Sequence, residues 1–196
     1  MQKIVEVKIK GSSPMLMHNG MLADPENPIV MDMKAITSIK AKDRTEEHIK
    51  SLRRLEWQGG LWLDDEGRAA IPPDAIEKCI IEGARKTRDG KAVESGVNVR
   101  GFSLLEFPDA GKSLDKLYES GKYFDARLVK SNPSNKSSGK IMRVRPFFGD
   151  WGLKMTVYYD DRIVASEDAL IQWIDTAGRL IGLGDYRPRY GRFEIV

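Results

Sequence analysis

Cysteine is almost missing from this chain: among 196 residues only Cys79 carries a thiol. No internal disulfide can form from one thiol, which suits a reducing cytoplasm. Cys79 stands among helical apolar residues and reads as a small core residue rather than a nucleophile. Histidine is nearly as scarce, at His18 and His48. One thiol and two histidines cannot supply a Cys/His metal quartet, so no metal or other cofactor is expected. Long apolar runs are missing too. None approaches the ~18–20 residues that cross a bilayer, and Met1–Glu6 lacks the apolar stretch of a secretory signal. No membrane partner is expected. There is no Walker loop and no Gly-x-Ser-x-Gly elbow. Large charge of one sign is lacking as well, the formal net charge being +3, which excludes a chain that binds polyanions by bulk charge alone.

What is present is a globular composition, 41% hydrophobic and 31% charged, in a length suited to one core with insertions. Lys3 to Lys10 alternates as a half-buried strand, with Val5, Val7 and Ile9 opposite Glu6, Lys8 and Lys10. Gly11 to Met33 is punctuated by Gly, Pro and Asn and reads as an extended loop holding His18. Asp43 with Glu46, and Asp74 with Glu77, match capping boxes. The first opens a short amphipathic helix through Ile49, Leu52, Leu55 and Glu56; the second opens one with Ile76, Ile80 and Ala84 as its stripe. Leu61–Leu63 and Ala69–Ile71 flank a turn sequence, Asp64-Asp65-Glu66-Gly67, and so read as a hairpin. Arg85 to Lys91 reads as a basic mobile loop.

A strand is expected within Val97–Phe107, and a helical turn or two over Ser113–Glu119. Tyr123–Lys130 and Lys140–Phe147 then alternate as a long hairpin. Phe124, Ala126, Leu128, Met142 and Val144 fall on one face, and Tyr123, Arg127, Arg143, Arg145 and Phe147 on the other. Trp151–Tyr159 is a further strand, Ser166 caps the last helix, and Phe193 and Ile195 alternate in a final strand. Strand, helix, helix, strands, helix, strand gives an α+β fold of ferredoxin or RNA-recognition-motif type. The expectation is one domain over residues 1–196, with insertions around 11–60 and 88–147.

Three groups of residues stand out as a candidate nucleic-acid surface. The first is the terminal loop, where Gly182 and Gly184 follow a helix and Tyr186, Arg187, Arg189, Tyr190, Gly191 and Arg192 crowd together. Arginine forks grip phosphates and tyrosine rings stack on bases. A glycine cap with a solvated loop would explain the glycines alone. The second group is the hairpin, whose cations Arg127, Lys130, Lys136, Lys140, Arg143 and Arg145 run without an acid, beside Phe147; an ordinary charged face is the competing reading. The third is the open sheet face, for which Lys8, Lys10, Lys154, Tyr158 and Arg192 are candidates. Lys86, Arg88 and Lys91 would fold over a bound strand.

These pieces resemble the RAMP (repeat-associated mysterious protein) superfamily, the backbone and crRNA-handling subunits of class 1 CRISPR effector complexes. The resemblance rests on the terminal loop Gly182-Leu183-Gly184 through Tyr190-Gly191-Arg192-Phe193, on Ser13-Pro14-Met15-Leu16-Met17-His18-Asn19-Gly20, and on the helix entry Ile71-Pro72-Pro73-Asp74-Ala75-Ile76. The helix entry departs from the Gly-Ser-Ser-Leu-Lys-Gly pattern of the backbone subunits. The terminal segment is also similar to those of small phage or prophage proteins. The resemblance therefore implies a stand-alone, phage-encoded relative in the cytoplasm of a bacterial host cell. Its partner would be single-stranded DNA, with RNA as the other strand chemistry, bound largely without regard to sequence. Protomers would stack along the strand as a homo-oligomer or filament. Catalysis is not expected. Two alternatives stand beside this reading: a RAMP-like endoribonuclease using His18, and a protein-interaction or assembly module of a phage.

Overall fold

The computed structural model describes residues 1–131, 134, 137 and 139–196. Lys136 lies outside the described residues, as does part of the loop expected over Ser131–Gly139. Along the chain run β1 (Gln2–Gly11), β2 (Met15–Leu16), α1 (Pro28–Ser38), α2 (Glu46–Gly60), β3 (Ala70–Ile71), α3 (Pro73–Ala84) and α4 (Gly90–Gly96). They are followed by β4 (Val97–Val99), β5 (Ser103–Glu106), α5 (Leu114–Glu119), β6 (Phe124–Lys130), β7 (Lys140–Phe148), β8 (Gly152–Asp160), α6 (Glu167–Leu180) and β9 (Phe193–Ile195). The chain forms two compact units. One comprises Met1–Leu16, Trp62–Gly111 and Phe148–Val196; the other comprises Met17–Leu61 and Lys112–Phe147.

In the first unit an antiparallel sheet runs β9–β1–β8–β5–β3, with β4 also paired to β8. With α3 after β1 and α6 after β8, this is the strand order of a βαββαβ unit, and the α+β, ferredoxin-like expectation holds. The reason is in the alternation. Val7, Ile9, Leu153, Met155 and Val157 point to one face and are buried there, while Lys8, Lys154 and Thr156 point to the other. α3 and α6 pack together, and their expected stripes, Ile76, Ile80 and Ala84 with Leu170, Ile174 and Ala177, are all buried. Each such Ile or Leu contributes on the order of 1.5–3 kcal/mol. Ser166 Oγ accepts from the Ala169 N–H at 3.2 Å, as its position predicts.

Other local expectations are corrected. α3 has Pro72 as its N-cap and no side-chain cap. Glu77 instead accepts from the Val99 N–H at 2.7 Å and from Asn98 Nδ2 at 3.0 Å, because β4 offers it main-chain and amide donors. Arg85–Lys91 is not an open loop: Arg85–Thr87 is a 3-10 turn and Gly90 begins α4. Asp89 fixes the segment by accepting from Thr87 Oγ1 at 2.6 Å and from Trp173 Nε1 at 3.2 Å.

In the second unit the expected loop over Gly11–Met33 gives way to a helix, α1. Asn27 Oδ1 accepts from the Ile29 N–H at 3.0 Å, and Pro28 occupies the first turn; the Asn-Pro pair starts a helix rather than punctuating a loop. The N-cap of α2 is Thr45, two residues beyond the expected Asp43. Thr45 Oγ1 accepts from the His48 N–H at 3.3 Å and His48 Nδ1 accepts from the Thr45 N–H at 3.2 Å, so Thr45 and His48, not Asp43 and Glu46, form the capping box. α2 runs on to bury Glu56, Trp57 and Gly60. Trp57 Nε1 donates to the Tyr123 carbonyl at 2.7 Å, ahead of the β6–β7 hairpin. The hairpin register sets Arg127 opposite Arg143 and Leu128 opposite Met142. Its apolar face is buried only near the base: Val144 is 1% exposed, whereas Leu128 is 62% and Met142 43% exposed.

Candidate nucleic-acid interface

The terminal loop is the most tightly built of the candidate surfaces. Gly184 and Gly191 have φ of +85° and +78°, values that strain any residue with a side chain. They let the backbone meet backbone: the Asp185 N–H donates to the Leu16 carbonyl at 2.7 Å, and the Gly191 N–H to the Pro14 carbonyl at 2.8 Å. A Cβ on Gly191 would lie 1.7 Å from the Leu183 carbonyl oxygen. Gly182 likewise faces Gly191 and the Tyr190 carbonyl. These glycines press the loop onto its own protein, and what the loop presents outward is its side chains.

Arg187 Nη1 donates to Glu82 Oε2 at 3.2 Å and to the Gly182 carbonyl at 3.5 Å. Lys78 and Lys86 stand one turn to either side of Glu82, both exposed. Arg192 Nε donates to the Pro188 carbonyl at 2.8 Å, which holds that guanidinium in the loop. Arg189 is exposed and makes no ion pair among the described residues. Tyr186 is 40% exposed at φ +55°, and Tyr190 is half-buried. Beneath the loop, Cys79 donates to the Gly182 carbonyl at 3.2 Å. Burial pushes its thiol up to about 12, which leaves it inert at neutral pH. Arg88 and Lys91 are exposed beyond the end of α3.

The open sheet face has a different electrostatic character. A groove of about 560 Å³ is lined there by Lys8, Lys10, Glu106, Phe107, Asp150 and Trp151, among others. Its charges balance. Lys8 pairs with Glu106 at 3.2 Å, Lys10 with Asp150 at 4.0 Å, and nearby Lys154 with Glu6 at 2.6 Å. The Arg100 guanidinium covers the Tyr158 ring at 4.4 Å from its centroid. Exposed pairs of this kind hold by about 1 kcal/mol or less, so a polyanion would compete for these lysines, though the face has no net attraction to draw one in.

In the second unit the hairpin arginines share one face, as the alternation predicts. Arg127 pairs with Asp125 and Arg143 with Glu56. Glu56 is 4% exposed, and its second oxygen accepts from the Val144 N–H at 3.0 Å. Arg143, Arg145, Glu56, His18, Leu22 and Met33 line a cavity of about 320 Å³ together with Gly20 and Ala23. Phe147 is half-buried and Lys140 exposed, at opposite ends of β7.

No protein-family model matches the sequence, and no curated protein matches it. Among solved structures the chain is similar to a chain of the cryo-EM structure of the type III-B Cmr-beta bound to cognate target RNA, with 15% identity and a TM-score of 0.55. That match takes in 100% of this chain and 59% of the other, so the protein spans under two thirds of its relative's length. It is also similar to Cmr6 from Pyrococcus furiosus, with 12% identity, a TM-score of 0.48 and coverage of 100% and 98%. The likeness to that Cmr-beta chain is one of fold. The resemblance drawn from the terminal loop, from Ser13 to Gly20 and from the helix entry is borne out at the level of fold.

Three residues of these surfaces escape a reading of the sequence. Lys78 and Glu82 are ordinary helix-surface residues until Arg187, 105 positions later, lands on Glu82. Glu56 is the third. Its signal is an acid set directly beside Trp57 on the side of α2 that turns inward, a position that asks for a buried partner.

Proposed function

We propose that this protein binds single-stranded nucleic acid, largely without regard to sequence, through the terminal loop and the adjoining α3 surface. One observation carries the reading: Arg187 is held by Glu82, between Lys78 and Lys86, and the same loop exposes Arg189 and Tyr186. Pre-positioned guanidinium groups grip phosphates at little further ordering cost. An exposed tyrosine ring supplies a face on which any base stacks, worth about 1–3 kcal/mol when engaged. The Cmr-beta relative is bound to target RNA in its structure, and the phage-like resemblance favours DNA. The two strand chemistries differ at the 2′-hydroxyl, and both belong in the test. Protomers following one another along the strand would show as a stoichiometry that rises with oligonucleotide length.

The test is the salt dependence of binding. On a single strand, each phosphate neutralised by a cation steepens the slope of log K against log salt by about 0.7. Arg187→Ala combined with Arg189→Ala is expected to weaken binding to every sequence and to flatten that slope by about 1.4. An unchanged slope and affinity would remove the terminal loop from the interface.

A further inference from the structure

The second-unit cavity has two chemically distinct walls. One is polar: the guanidinium groups of Arg143 and Arg145 from β7, the Glu56 carboxylate that pairs with Arg143, and the His18 imidazole. The other is apolar: Leu22 and Ala23 from a 3-10 turn, and Met33 from α1. Strand pairing concentrates the charge. Arg127 stands directly opposite Arg143, and Arg145 opposite Asp125; like charges so placed repel unless compensated. Asp125 takes Arg127, and the buried Glu56 takes Arg143 through Nη1 while also holding the Val144 N–H.

Glu56 therefore fixes the plane of the Arg143 guanidinium and engages one of its five N–H donors, while the side chain remains 37% exposed. A cavity of about 320 Å³ is at the small end of ligand pockets, near a single nucleotide in size. We propose that this cavity binds one nucleoside monophosphate unit. The phosphate lies on Arg143, Arg145 and His18, and the base lies against Leu22 and the soft thioether of Met33. The unit is either a free mononucleotide or the 5′-terminal nucleotide of a strand; the chemistry recognised is the same. The assignment rests on second-unit residues alone and is independent of the terminal loop.

The experiment titrates the full chain by calorimetry with AMP, CMP, GMP and UMP, with the matching nucleosides, and with 5′-phosphorylated and 5′-hydroxyl oligonucleotides. Monophosphates are expected to bind and nucleosides to bind at least about tenfold more weakly, as charge-assisted hydrogen bonding to the phosphate requires. A preference for the 5′-phosphorylated oligonucleotide over its 5′-hydroxyl form would place the unit at a strand end; equal affinity for those two, with monophosphates still bound, would make it a free nucleotide. His18→Ala changes an exposed residue, and Arg145→Ala a half-buried one; with melting temperatures to confirm folding, each should weaken monophosphate binding by about tenfold. Arg187→Ala with Arg189→Ala should leave it unchanged. Indifference to the phosphate, or affinity untouched in the His18 and Arg145 variants, would overturn the pocket. So would RNA cleaved by the native chain and spared by His18→Ala, since the cavity would then be a catalytic centre rather than a binding one.

Discussion

Replacing Glu56 tests whether the hairpin arginines are held by a buried charge. Glu56 is 4% exposed and makes two contacts, to Arg143 Nη1 and to the Val144 N–H at 3.0 Å. Glu56→Ala removes both. The stranded N–H costs about 1–3 kcal/mol. Breaking a fully buried ion pair costs about 3–5 kcal/mol, but the Arg143 side chain is 37% exposed, and water will recover much of that cost. The total is about 2–4 kcal/mol. For a chain of this size each kcal/mol moves the melting temperature by about 2–4 °C, so a fall of about 10 °C is expected. Glu56→Gln keeps an acceptor for Val144 and loses only the charge, so it should fall about half as far. The control is Glu106→Gln, which breaks the exposed Lys8–Glu106 pair and should change stability by less than about 1 kcal/mol. Calorimetry and urea titration read both. If Glu56→Ala melts with Glu106→Gln, the arginine face is not organised by a buried carboxylate. Glu56→Gln also releases Arg143 toward an incoming anion, so this variant should bind monophosphates more tightly while being less stable.

Gly191→Ala must place a methyl where the Leu183 carbonyl lies, at φ +78°; a destabilisation of about 2–4 kcal/mol is expected, read as a lower urea midpoint. Ser166→Ala deletes the cap on α6 and should cost about 1 kcal/mol in the same titration. Cys79 should resist iodoacetamide at pH 8 in the native chain and react promptly in urea, because burial raises its thiol from 9.0 to about 12. The neutral thiol is the form the fold favours. Its contribution is thus intact below pH 9 and is lost as pH rises from there toward 12. Cys79→Ala should remove that part of the alkaline destabilisation.

The sheet and its helices were legible because their burial is periodic. β1, β8 and β9 alternate, α3 and α6 repeat at helical spacing, and the ferredoxin-like order follows from their sequence along the chain. What was hidden depended on distant partners. Asp74 and Glu77 look like a cap, yet Glu77 is drawn to Val99. Asn27-Pro28 looks like a loop and is a helix start. The hairpin's arginine face was evident from alternation alone, whereas its acid, Glu56, comes from a helix 87 residues earlier. The terminal loop brings glycines and arginines together in the sequence. In the structure these do separate things: the glycines seat the loop on Pro14 and Leu16, while Arg187 pairs with Glu82, Arg192 donates to the Pro188 carbonyl and Arg189 is exposed.

Fluorescence anisotropy with labelled strands of about 30 nucleotides, several site sizes long, tests nucleic-acid binding most directly. Single-stranded DNA, single-stranded RNA and duplex DNA would each be titrated with the protein at about 50 and 200 mM salt. Binding to a single strand that exceeds duplex binding, weakens at the higher salt and is reduced in the Arg187→Ala, Arg189→Ala variant is the expected result. Failure of all three to bind at the lower salt would contradict it, leaving the loop's arginines to meet an acidic protein surface instead.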